Sequence, residues 1–87
     1  MAMSGMDVGE VKKFATLAKQ KATELDEISA RLKTKLAAVD WTGPDATRFK
    51  DEWTKTHAKN LKAIADGLEQ VAKSATANAN QQENASK

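Results

Sequence analysis

The sequence predicts an all-α protein, an antiparallel helix-turn-helix hairpin that dimerises into a four-helix bundle. Three observations carry this prediction. Helix-breaking residues gather at one place, Trp41-Thr42-Gly43-Pro44-Asp45, and Pro44 is the only proline. On both sides of that break, apolar residues recur at steps of three and four, the period of one helix face. No stretch shows the strict alternation of a half-buried strand.

Residues 1–6 (Met-Ala-Met-Ser-Gly-Met) have no period and read as a disordered N-terminus. Asp7 precedes Glu10 at the spacing of a capping box, so the first helix is expected over 7–40. Its seam comprises Val8, Val11, Ala15, Ala18, Ala22, Leu25, Ser29, Leu32, Leu36 and Val39, with Ser29 the only polar member. A second apolar row, Phe14, Leu17 and Ile28, flanks the seam. Two apolar rows need two neighbours, and a lone hairpin supplies one.

The turn is expected at 41–44. Gly43 supplies the backbone freedom of a tight reversal, and Pro44 suits a first helical turn, where its missing N–H costs nothing. Thr42 and Asp45 repeat the capping-box spacing, so Thr42 is the expected N-cap and Gly43 the alternative. Trp41 either plugs the end of the hairpin or serves as a contact surface; residue chemistry leaves both open.

The second helix is expected over 45–75, with a stripe at Ala46, Phe49, Trp53, His57, Leu61, Ile64, Leu68, Val71 and Ala75. Each arm would run roughly 45–50 Å at about 1.5 Å per residue. From Thr76 onward no large apolar residue occurs, so 76–87 reads as a flexible C-terminal tail in which nothing is buried. The 7–75 hairpin is thus the one folded unit. The apolar rows predict a dimer interface: Val11, Phe14, Ala15, Leu17, Ala18, Ala22, Leu25, Ile28 and Leu32 from the first helix, with Phe49, Trp53, Leu61, Ile64 and Leu68 from the second.

Composition narrows the function classes. Eighty-seven residues bury a modest core, and without cysteine neither disulfides nor thiolate metal sites are available. A single His57 builds no zinc site, so no metal and no cofactor are expected. Fourteen basic and 12 acidic residues intersperse to a net charge of +2, which is not a nucleic-acid footprint. No apolar run approaches the roughly 18 residues of a membrane span, and no signal-peptide pattern opens the chain. No nucleophile–base pair, phosphate loop or dinucleotide fingerprint occurs, so no enzyme is expected. His57 falls on the predicted seam and reads as an interface residue.

With these residues in view, the chain resembles the WXG-100 family, the early-secreted-antigen type of small helical hairpin exported by type VII (ESX) secretion systems. The resemblance rests on Trp41-Thr42-Gly43 at mid-chain, on Ala46, Phe49 and Trp53 after it, and on heptad helices either side. It spans roughly residues 7–85. It implies a secreted subunit without a cleavable signal peptide. The subunit would pair with itself or with a paralogue and be recognised by an FtsK/SpoIIIE-like secretion ATPase. Trp41 and Gly43 would form the turn half of the export signal. The family's tail motif places a Tyr four residues before an acidic residue; here Glu83 fills the acidic position and Ala79 stands where the Tyr belongs. The tail half is therefore degenerate, and the resemblance implies that a partner supplies it. A competing reading is an intracellular helical-bundle adaptor or a small nucleic-acid-binding dimer.

Overall fold

The computed structural model describes residues 5–85; the expectations for residues 1–4 and 86–87 lie outside the described residues. The described chain is an all-α hairpin of two long antiparallel arms. Helix α1 spans Val8–Ala38. The return arm comprises α2 (Pro44–Glu52), a π-helical turn at Trp53–His57, and α3 (Ala58–Ala85).

Asp7 caps α1 as its spacing predicts, and its Oδ1 accepts the Glu10 N–H at 3.0 Å. The helix ends at Ala38, two residues before the expected boundary. Val39 is already extended (φ −70°, ψ 130°), a conformation that suits a β-branched residue, and the Trp41 N–H closes a tight turn on the Val39 carbonyl at 2.9 Å. Gly43, not Thr42, is the N-cap of α2. Its φ of 106° and ψ of 175° fall in a region that only glycine occupies without strain. No side chain caps this end. The Gly43 carbonyl accepts both the Thr47 N–H at 3.1 Å and the Thr47 hydroxyl at 3.2 Å. Asp45 does not complete a capping box with Thr42; it pairs with Arg48 at 3.1 Å.

The seam between the arms is made of methyl groups. All seven buried residues among those described are alanines: Ala15, Ala18, Ala22, Ala65, Ala72 and Ala79 on α1 and α3, whose packing forms the seam, and Ala46 on α2. On α3 the line of closest contact therefore runs through Ala65, Ala72 and Ala79, beside the stripe of larger residues expected from the sequence. The reason is geometric. Two helices without a third element share only a narrow contact line, and small side chains let their backbones approach. Leucines there would hold the helices apart, so Leu25, Leu61 and Leu68 take the half-buried shoulders.

The helix also continues through the segment read as a tail. Residues 76–85 belong to α3, and Ala79 is 0 % exposed, which corrects the expectation that nothing there is buried. Lys12 of α1 binds Glu83 at 3.0 Å and ties that last stretch to the other arm. The result is a rod of 66 × 17 × 14 Å. Its radius of gyration is 19.4 Å, against about 12 Å for a compact domain of this length.

Candidate protein-binding face

The two sides of the rod differ in chemistry. On one side a shallow groove is floored by Ala15 and Ala72 and walled by Thr16, Lys19, Glu69, Lys73, Thr76 and Asn80. Both arms contribute to it, and its walls carry the polar ends of these side chains. On the opposite flank of α1 stand Phe14, Leu17, Ile28 and Leu32, exposed by 45–54 %. The opposite flank of α3 carries Ile64 (54 %) and Val71 (43 %). Because Thr16 and Lys19 face the same groove as Lys73 and Thr76, the apolar flanks of α1 and α3 also face one common side. Leu25, Leu61 and Leu68 form its floor, half-buried between the arms.

At the tip of the rod a second apolar group continues this exposure. Trp41 is 38 % exposed and Phe49 50 %, and their rings pack at a centroid distance of 5.3 Å with a 51° tilt. Val39 is also exposed beside them in the chain. Trp41 thus packs on Phe49 while part of its indole stays open to solvent. Trp53 is half-buried, and its ring lies 6.3 Å from the His57 imidazole. His57 itself is exposed within the π turn, so it is not the seam residue that its spacing suggested.

The residues expected to form a dimer interface thus separate into three sets. Ala15, Ala18 and Ala22 are used up inside the hairpin and are not available to a partner. Val11, Leu25, Trp53, Leu61 and Leu68 sit on the shoulders, half-buried. Phe14, Leu17, Ile28, Leu32, Phe49 and Ile64 are open. Sequence reasoning left Val71 out of the interface and placed it in the seam. The signal that resolves both errors is the seven-residue alanine period Ala58, Ala65, Ala72, Ala79. It marks the true contact line, and every larger apolar residue then falls to one side of it.

The two segments on which the resemblance places motifs lie far apart. Trp41 and Gly43 are at the tip, whereas Ala79 and Glu83 lie at the open end beside Lys12. Ala79 is enclosed, and the Glu83 carboxylate is engaged with the Lys12 ammonium. Apart from that bridge, the ion pairs among the described residues are local, three or four residues apart along one arm and exposed to solvent, so they add little stability. Lys62 holds its proton above the usual lysine range, first because it donates a hydrogen bond to the Asp66 carboxylate and then because Asp26 on α1 attracts it.

Among the described residues, no group of three or more His, Cys, Asp or Glu is placed to hold a metal ion. No described helix is long and apolar enough to cross a membrane. No known family model matches the chain, and no curated protein or solved structure matches it either.

Proposed function

We propose that this protein is a small secreted WXG-type subunit of a type VII secretion system, acting through protein–protein contact as one half of a helical dimer. The observation that carries the reading is the apolar side of the rod. A hairpin whose interior is alanine leaves Phe14, Leu17, Ile28, Leu32, Ile64 and Val71 on one exposed side. An apolar strip of this kind on a small protein marks an interaction surface. A second hairpin laid on it produces a four-helix bundle with the large side chains as its core. The Trp41-Thr42-Gly43 turn at the tip adds an exposed indole held by a backbone conformation only glycine tolerates.

The geometry also bears on how such a signal would be read. Within one chain the turn and the tail stand at opposite ends of a 66 Å rod. They can form one recognition site only if a partner's tail lies beside this chain's turn. That supports a dimer as the exported unit, recognised by an FtsK/SpoIIIE-like ATPase.

The test is export itself. The chain should accumulate in culture supernatant when the secretion ATPase is present and stay in the lysate when it is deleted. Trp41→Ala should keep its helical circular dichroism and remain in the cell. Release that is unaffected by either change overturns the reading.

A further inference from the structure

Chain ends are where helical order is ordinarily lost. This hairpin is fastened near its ends and loose towards its turn. Six of the seven buried residues, Ala15, Ala18 and Ala22 on α1 and Ala65, Ala72 and Ala79 on α3, lie in the half of the rod away from the turn. The Lys12–Glu83 bridge between the arms lies there as well. Asp26 attracts Lys62 across the arms at the middle of the rod. From Ala22 onward to Ala65 the one buried residue is Ala46. Close backbone packing joins α1 to α3, whereas α2 scarcely approaches α1.

The junction of α2 with α3 is built to bend. The Ala58 N–H reaches back five residues to the Trp53 carbonyl, and the Trp53 N–H is shared between the Phe49 and Lys50 carbonyls. The regular ladder of helical hydrogen bonds is thus broken on both sides of Trp53, and such breaks are where helices kink. Beyond them α2 has nine residues, too few to be a stable helix alone, and no side chain caps its start. Its position is tied to the turn through one ring contact, Phe49 on Trp41 at 5.3 Å. Phe49 covers part of the indole and leaves Trp41 38 % exposed.

We infer that α2 is a lever hinged on the π turn, and that its swing governs how much of the Trp41 indole a partner can reach. Swinging α2 outward breaks no ion pair between the arms and uncovers no large buried side chain. The turn does not forbid it, since the six peptide links from Ala38 to Pro44 span up to about 20 Å when extended. In the closed position Phe49 lies on the indole. In the open position the indole is free, and a partner that grips it selects that state. The inference deepens the proposed function at one point, the use of Trp41 as a contact residue. The motion itself is measured on the chain alone, so its failure and a failure of export are separate results.

The chain has no cysteine, so nitroxide labels can be placed in pairs on the full chain. One pair, Lys35→Cys with Arg48→Cys, spans α1 and α2; the other, Gln20→Cys with Gln70→Cys, spans α1 and α3. Each is diluted with unlabelled chain so that only distances within one molecule are read by pulsed electron resonance. The α1–α2 distribution should be at least twice as broad as the α1–α3 one, and Phe49→Ala should at least double its long-distance fraction. Deleting Thr54 makes the return arm one continuous α-helix and should narrow it to the α1–α3 width, with circular dichroism confirming helicity. In a Trp53→Phe background Trp41 is the sole fluorophore, and the same deletion should at least halve its quenching by acrylamide while Phe49 stays in place. Equal widths for the two pairs in the otherwise unaltered chain overturn the lever. A broad α1–α2 distribution that Phe49→Ala leaves unchanged overturns the ring contact as its closing element. Should the deletion variant lose helicity, these two comparisons still decide the matter. A narrowed distribution with unchanged quenching overturns the control of Trp41.

Discussion

Gly43 and Ala79 show how single positions hold the design. At Gly43 a side chain has space, since nothing lies within 4 Å of where its Cβ would be. The constraint is the backbone, with φ at 106°. Gly43→Ala should therefore cost about 1–3 kcal/mol through backbone strain alone, read as a lower Tm with helicity retained below the transition. Gly67 is the opposite case. It is helical with open space around its Cα, so Gly67→Ala should stabilise by about 1 kcal/mol. At Ala79 the methyl group is fully covered, so Ala79→Tyr, which rebuilds the family's tail motif in sequence, should instead push the end of α3 off α1. A loss of about 1–3 kcal/mol in a denaturant titration is expected, typical of overpacking. Lys62 sets the alkaline behaviour. Its folded pKa lies above the unfolded value of 10.5, so its stabilising contribution is complete below that pH and is lost as pH rises through the folded value. The group is exposed, so the effect is small, and Lys62→Met should remove it from a Tm-against-pH profile above pH 10.5.

At the scale of elements, the return arm shows what the sequence could and could not convey. The arms, the Asp7 cap and the location of the turn are legible because periodicity, capping spacing and the single proline are local signals. The line of closest contact is not, because heptad reading weights large side chains and the seam here is made by the smallest. A run of Leu61, Ile64, Leu68 and Val71 looks like a core, yet without a third element no space between two helices would hold it. The last turns of α3 are illegible in the sequence for the same reason. Ala79 carries no visible apolar weight, but it continues the seam to the open end of the hairpin. Removing residues 77–87 should therefore do more than trim a tail: it deletes Ala79 and the Glu83 partner of Lys12. We expect the truncated chain to melt at a lower temperature than the full chain by circular dichroism, while Glu83→Gln alone, which removes only a half-exposed ion pair, should change stability by less than about 1 kcal/mol.

The whole molecule is a rod with its small residues inside and its large apolar residues outside. Among the described residues no large side chain is fully buried. Each alanine methyl contributes less than about 1 kcal/mol on burial, and such a seam by itself is a weak source of stability for a chain this long. The missing stabilisation has an evident source in the exposed strip, whose Phe, Leu, Ile and Val side chains would each contribute about 1.5–3 kcal/mol when fully covered. Folding and association should consequently be coupled. Placing a charge in the strip, as in Leu17→Glu with Ile64→Glu, should leave the alanine seam untouched while lowering the Tm through loss of the partner. The most direct measurement is the thermal transition of the unmodified chain over a hundredfold range of protein concentration. A Tm that climbs with concentration in the wild type, and does so far less in the doubly charged variant, is the predicted result. A single sharp transition at the same temperature at every concentration would mean that the alanine-seamed hairpin stands alone, and would contradict the account.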